Sequence, residues 1–131
     1  WNQPHDATVR VITRGLIKLG LLKGNERDLI KAEAYRDFYM HRAGHWLGLD
    51  VHDVGEYRVA GRWRQLESGM VLTIEPGIYI APGNSRVPKR WRGIGVRIED
   101  DVVVTDTGCD VLTKDVPKRA EEIEALMAGT A

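Results

Sequence analysis

The run Met70-Val71-Leu72-Thr73-Ile74-Glu75-Pro76-Gly77-Ile78-Tyr79-Ile80 constrains the fold of this chain more than any other stretch. Its β-branched content suits a pleated strand, and Gly69 bounds it on the N-terminal side. Pro76-Gly77 interrupts the run, so a bulge or bend follows directly on Glu75. A second run, Ile94-Gly95-Val96-Arg97-Ile98-Glu99, reads as another strand, with further β structure from Val102. Side chains alternate across a strand. Val71, Thr73 and Glu75 therefore share one face, with Leu72 and Ile74 on the other. In the second run Gly95, Arg97 and Glu99 lie opposite Val96 and Ile98. Each strand offers an apolar face ready for helices and a second face that carries a glutamate.

Helical periodicity supplies the cover. Val9, Ile12, Leu16 and Leu19 recur at spacings of three and four, an amphipathic helix that ends near Gly20 to Gly24. Asp6 is its candidate N-cap, and Val11 and Ile17 widen the apolar stripe. Asn25 is a good N-cap for a second helix, or a pair of short ones, carrying Leu29, Ile30, Tyr35, Phe38 and Tyr39. Residues 56–69 are charged and without periodicity, which predicts a loop. Residues 81–93 form a polar, Pro/Gly-containing excursion, and its Lys89-Arg90-Trp91-Arg92 cluster reads as solvated. Asp106-Thr107-Gly108 turns the chain toward a short segment from Cys109 to Leu112, an antiparallel arrangement. Arg119 to Met127 forms a closing helix with Ile123, Leu126 and Met127 on its apolar face. The fold class is α+β.

A length of 131 residues accommodates one domain. The 19 basic residues balance the 19 acidic ones, so there is no electrostatic footprint for nucleic acid or an anionic membrane. No apolar run reaches membrane-spanning length and no signal-peptide pattern opens the chain. The single cysteine, Cys109, cannot form an internal disulfide and fits a reducing cytoplasm.

Chemistry concentrates between His41 and Gly55, in HRAGHWLGLDVHDVG, which holds His41, His45 and His52. Histidine titrates near neutrality and is the commonest metal ligand. Gly44, Gly48 and Gly55 make a continuous helix through this stretch unfavourable. His41 and His45 are four apart, as in helical zinc proteases, but Arg42 stands where that motif needs a glutamate. His5, outside the cluster, reads as a solvated or capping residue. Two readings of the carboxylates stand side by side. In one, Glu99 pairs with Arg97 or a lysine and Glu75 faces solvent. In the other, His45, Glu75 and Glu99 form an imidazole-and-carboxylate set suited to manganese, iron, cobalt or zinc.

HRAGHWLGLDVHDVG, GMVLTIEPGIYI and RGIGVRIEDDVVVT, in that order, resemble the C-terminal part of the catalytic domain of the aminopeptidase P (Xaa-Pro aminopeptidase) family. This is a metallopeptidase family that shares the pita-bread fold with prolidase and methionine aminopeptidase. The likeness runs over essentially the whole chain. It implies the C-terminal half of a pita-bread domain, a curved antiparallel sheet with helices on its outer face. It implies His45, Glu75 and Glu99 as metal ligands, Glu99 bridging two ions and Glu75 also moving protons. His41 and His52 correspond to catalytic residues that line the substrate site, and Arg97 and Tyr79 to residues that hold the ligand carboxylates and a proton-transfer network. The implied cofactor is two manganese ions, with cobalt or zinc as alternatives, and the implied substrate a peptide with proline in second position. Prolidase activity on dipeptides, or a non-catalytic pita-bread binding protein, are the alternative readings.

That family uses five metal ligands, two of them aspartates on strands that precede the segment matched here. Asp6, Asp28 and Asp37 lie in helical settings and do not replace them. The resemblance therefore implies that residues 1–131 are a partial catalytic domain, binding metal weakly and nearly inactive alone. It further implies that self-association or a missing N-terminal part covers a sheet edge.

Overall fold

The computed structural model describes residues 1–129. Helix α1, Asn2–Lys18, buries Val9, Ile12, Thr13 and Leu16 along one stripe. It starts earlier than Asp6 because Pro4 is tolerated in a first helical turn; Trp1 takes the N-cap position. Asp6 sits inside the helix, where its carboxylate accepts from the Asn2 amide at 2.8 Å. Helix α1 ends before Leu19, and Gly20 adopts φ 71°, a left-handed stop that suits glycine. Leu19 and Val11 point to solvent, so the buried stripe is narrower than expected.

The second helical region is a pair of short elements. Helix α2, Glu26–Lys31, is capped by the Asn25 side chain, which accepts from the Arg27 N–H at 2.9 Å. A 3-10 turn over Ala34–Asp37 follows, entered through Glu33 at φ 52°. That break swings Tyr35, Phe38 and Tyr39 into the core, where they meet Val9, Ile12, Leu16, Ile80 and Val87. Burying several such side chains contributes about 1.5–3 kcal/mol each before the entropy cost of ordering them.

Among the described residues all strands pair antiparallel, in three small sheets. A hairpin of β1, Arg58–Val59, and β2, Arg62–Trp63, occupies the stretch expected to be a loop. Ala60 and Gly61 form its two-residue turn, both at positive φ. β3, Val71–Ile74, pairs with β6, Asp100–Thr105, which pairs in turn with β7, Gly108–Val111. β4, Gly77–Tyr79, pairs with β5, Gly95–Arg97. The break at Pro76 therefore hands the chain from one sheet to another, and Ile98-Glu99 marks the matching change of partner between β5 and β6. The Tyr79 N–H donates to the Phe38 carbonyl at 2.8 Å, tying β4 to the helical core.

The histidine segment lies along the free edge of β3. Thr73 N–H donates to the His45 carbonyl, Glu75 N–H to that of Ala43, and Leu47 N–H to that of Val71, at 2.7–3.2 Å. Gly44 is essential to this approach: a Cβ there would land on the Thr73 carbonyl oxygen.

Three expectations about cover need correction. Val96 and Ile98 are 54% and 46% exposed, so no helix covers that face of β5 among the described residues. Helix α3, Ala120–Met127, buries no residue, and Ile123, Leu126 and Met127 face outward. The Lys89–Arg92 cluster is no plain solvated loop. Lys89–Trp91 form a 3-10 turn, Trp91 packs against the core, and Arg92 donates to the Val87 carbonyl at 2.9–3.0 Å. Among the described residues no helix is long and apolar enough to cross a membrane.

Candidate metal centre

Pairing along β3 fixes the backbone on both sides of the site, so the side chains of His45 and Glu75 arrive from adjacent chains. His45 Nε2 lies 3.4 Å from Glu75 Oε1. Glu99, reached through the β5–β6 junction, completes a group whose ligand atoms all lie within 4.8 Å of one another. Separations of that size suit donors around one shared ion.

The donor set is also correctly prepared. His45 Nδ1 faces the Trp46 carbonyl at 2.8 Å. A carbonyl can only accept, so Nδ1 carries the proton and the Nε2 lone pair is left for a cation. Glu75 is 8% exposed, which rules out the solvent-facing reading. A carboxylate buried to that degree needs partners. Glu75 Oε2 accepts from Arg97 Nη1 at 3.1 Å, and Thr73 Oγ1 lies 3.4 Å from Oε1. Thr73 Oγ1 in turn accepts from the His45 N–H at 3.1 Å, linking the two ligands. Arg97 pairs with Glu75, not Glu99; the carboxylate of Glu99 is exposed.

Behind Glu75 the bonds continue. Arg97 Nε donates to the Tyr79 hydroxyl at 2.6 Å, and that oxygen is 2.9 Å from His41 Nε2. His41 Nδ1 faces the Arg42 carbonyl at 2.7 Å. The Tyr79 ring folds back over its own strand, into space that a Cβ on Gly77 would fill. The Tyr79 bond holds the Arg97 guanidinium more firmly protonated than an ordinary arginine. Tyr39, whose ring lies 4.9 Å from that of His41, has its hydroxyl pushed up to about 12 by burial. Burial also lowers the pKa of His5, with Arg42 adding to the effect. His5 is thus half-buried near Tyr39, not solvated.

The site opens into a cleft of about 690 Å³, lined by His41, His45, His52, Glu75 and Arg97 among others. His52 stands edge-on to His45, ring centroids 4.3 Å apart. Trp1, Arg42, Tyr57, Arg58 and Trp63 line the cleft as well. All seven site residues singled out from the sequence therefore belong to one connected region. The sequence reading assigned no role to Thr73, although its place on the Glu75 face was the available signal. Nor does it give a role to Arg42, or to Arg58 and Trp63, whose positions depend on the hairpin.

Residues 1–106 match the sequence profile of metallopeptidase family M24. The Xaa-Pro aminopeptidase of Escherichia coli is 60% identical over 119 residues, covering 91% of this chain and 26% of that protein. More distant relatives include the Xaa-Pro dipeptidase of Rattus norvegicus, at 41%. The structure of Pseudomonas aeruginosa aminopeptidase PepP superposes with a TM-score of 0.95 at 71% identity, covering 99% of this chain and 29% of that one. Aminopeptidase P from E. coli with the inhibitor Pro-Leu gives a TM-score of 0.85 at 58% identity, covering 93% of this chain and 27% of that one. The chain thus spans between a quarter and a third of the length of these relatives.

Proposed function

This chain belongs to metallopeptidase family M24, and from that premise we propose that it supplies the C-terminal part of a Xaa-Pro aminopeptidase active site. The reaction is release of the N-terminal residue from a peptide with proline second. The observation that carries this reading is the convergence of ligand atoms of His45, Glu75 and Glu99 within 4.8 Å of one another. It occurs in a chain more similar to Xaa-Pro aminopeptidases than to the dipeptidases.

His45, Glu75 and Glu99 would hold divalent metal, and one imidazole with two carboxylates suits manganese, with cobalt or zinc as alternatives. When bound, such ions polarise a carbonyl and lower the pKa of water. The residues here do the rest. Arg97 pins Oε2 of Glu75, which keeps Oε1 aimed inward to take a proton from the attacking water and deliver it to the leaving prolyl nitrogen. His52 and His41 line the cleft; a donor at His52 can meet the negative charge developing on the scissile carbonyl oxygen, while His41, with both ring nitrogens engaged, shapes the substrate side. Tyr79 holds both Arg97 and His41 in register.

A site of two ions in this family takes two further aspartates. We propose that these come from another part of the protein, making residues 1–131 a partial catalytic domain. The exposed Val96 and Ile98 face supports coverage by such a part or by a second copy. A cytoplasmic setting is supported by the exposed free thiol of Cys109.

The test is Glu75→Gln in the intact protein, assayed on an Xaa-Pro-Xaa peptide with manganese, cobalt and zinc in turn. Turnover should fall by about 10²–10⁴-fold with the circular dichroism unchanged. Near-normal turnover would remove Glu75 from its role.

A further inference from the structure

The cleft that holds His45 and Glu75 is also lined by two guanidinium groups, of Arg42 and Arg58, that the proposed chemistry does not use. Arg58 and Trp63 stand directly opposite each other across the β1–β2 hairpin. The Arg58 guanidinium carbon lies 4.0 Å from the Trp63 ring centroid, and that of Arg42 lies 4.8 Å from the same ring. Arg42 is also held by the Asn2 side-chain oxygen. Among the described residues neither arginine forms an ion pair, which is also true of Arg10, Arg27, Arg62, Arg64, Arg90 and Arg92; Arg42 and Arg58 differ in lining the cleft. The only carboxylate lining the cleft is Glu75, already engaged by Arg97.

Two like charges gathered on one indole, with no carboxylate paired to either, leave a local excess of positive potential around Trp63. Cation–π contact holds both guanidinium groups against one ring, and a guanidinium's fork of N–H donors matches a carboxylate in two parallel bonds. The cleft joins these donors to His45 and Glu75 in one space. A peptide with its scissile bond at the ligands would extend its C-terminal side across that space.

We propose that Arg42 and Arg58, organised by Trp63, form a subsite for a peptide carboxylate lying one or two residues beyond the proline. The proposal rests on the Xaa-Pro reading for its substrate class, but not for its ligand chemistry. The carboxylate has two sources: the free C-terminus of a short peptide, or an acidic side chain of a longer one. Such a contact is made equally in ground and transition states, so it acts on KM more than on kcat.

The intact protein is assayed on Ala-Pro-Ala as free acid and as C-terminal amide. The acid should be favoured about ten- to hundredfold in kcat/KM, through KM, because charged hydrogen bonds carry that much discrimination. The advantage should shrink as salt rises. Arg58→Gln, and separately Arg42→Gln with Arg58→Gln, should bring the acid-to-amide ratio toward one. Equal use of acid and amide by the unmodified protein would overturn the proposal, as would a ratio unmoved by the double substitution. Comparing Ala-Pro-Asp amide with Ala-Pro-Asn amide assigns the source. A preference for the aspartate supports a subsite for any carboxylate, and its absence, with the acid still favoured, supports one for the chain terminus. Should the protein cleave no Xaa-Pro peptide, the functional reading falls. The subsite is then judged by calorimetry with Pro-Leu and its amide, where tighter binding of the acid supports it and equal binding overturns it.

Discussion

Glu75 and Glu99 occupy equivalent places in two strand runs, each following an isoleucine and each on the face of the pleat away from it. Their surroundings differ completely. Glu75 is buried, its N–H tied to Ala43 and its oxygens to Arg97 and Thr73. Glu99 is exposed, with no hydrogen bond or ion pair to its carboxylate among the described residues. The pleat places both; the neighbouring segments decide which is held. A held carboxylate suits proton handling, which needs one oxygen at a fixed point, whereas a free one can ligate without breaking an internal bond. That contrast can be broken or sharpened by substitution.

The largest effect should come from removing the fastening on the Glu75 side. Gly44→Ala places a methyl group on the Thr73 carbonyl oxygen and must push the histidine segment off β3. A loss of more than about 3 kcal/mol is expected in urea unfolding, among the largest single-residue effects. A loss below 1 kcal/mol would show that the segment can dock elsewhere. The direct comparison comes next. In metal-free protein Glu75→Ala leaves Arg97 and Thr73 without their acceptor and should cost about 1–3 kcal/mol. Glu99→Ala should stay within about 0.5 kcal/mol of the parent. Equal losses in chemical denaturation would erase the distinction between a held and a free carboxylate.

The smallest effect concerns Asp100, next in sequence to Glu99 but tied down. Its oxygen accepts from the Thr113 hydroxyl at 2.6 Å and lies 2.9 Å from Lys118 Nζ. Burial acts to raise its pKa, but these two partners more than offset it and hold the carboxyl below the usual aspartate range. A depressed folded-state pKa means stabilisation present above the unfolded value, about 3.9, and lost as pH falls through the lower folded one. Asp100→Asn should flatten the stability profile in that acid window. Identical acid limbs for parent and variant would show that the Thr113 and Lys118 contacts contribute nothing.

Much of this was legible in the residues themselves. Apolar spacing located α1 through Val9, Ile12 and Leu16, and Pro76-Gly77 marked where β3 gives way to β4. Alternation put Thr73 beside Glu75 and Arg97 beside Glu99. Alternation says which residues share a face, however, and nothing about what packs there. Val96 and Ile98 accordingly form the expected apolar face, yet stand exposed. The β1–β2 hairpin was hidden for a different reason. Its strands are two residues long and exposed, so no periodicity can show, and Ala60 holds a left-handed turn position where Asn, Asp or Gly gives the usual signal. Missing the hairpin meant missing Arg58 and Trp63. The partnership of Arg97 with Glu75 instead of Glu99 depended on the pairing of β4 with β5 across fifteen intervening residues, which local sequence does not specify.

The run from Arg97 through Tyr79 and His41 to the Arg42 carbonyl has a polarity that its ends impose. A guanidinium has only protons to give, and a carbonyl has only lone pairs to receive them. The phenol and the imidazole between them can each face either way in isolation, but with a single proton on the ring every link must point from arginine toward carbonyl. The neutral ring is thereby committed to one tautomer and the phenol to one rotamer, without any further contact being needed. A wire with a single permitted orientation cannot pass a proton along and stay as it was. To reset, each of its middle members must turn over, and that makes it an anchor first and a conductor second.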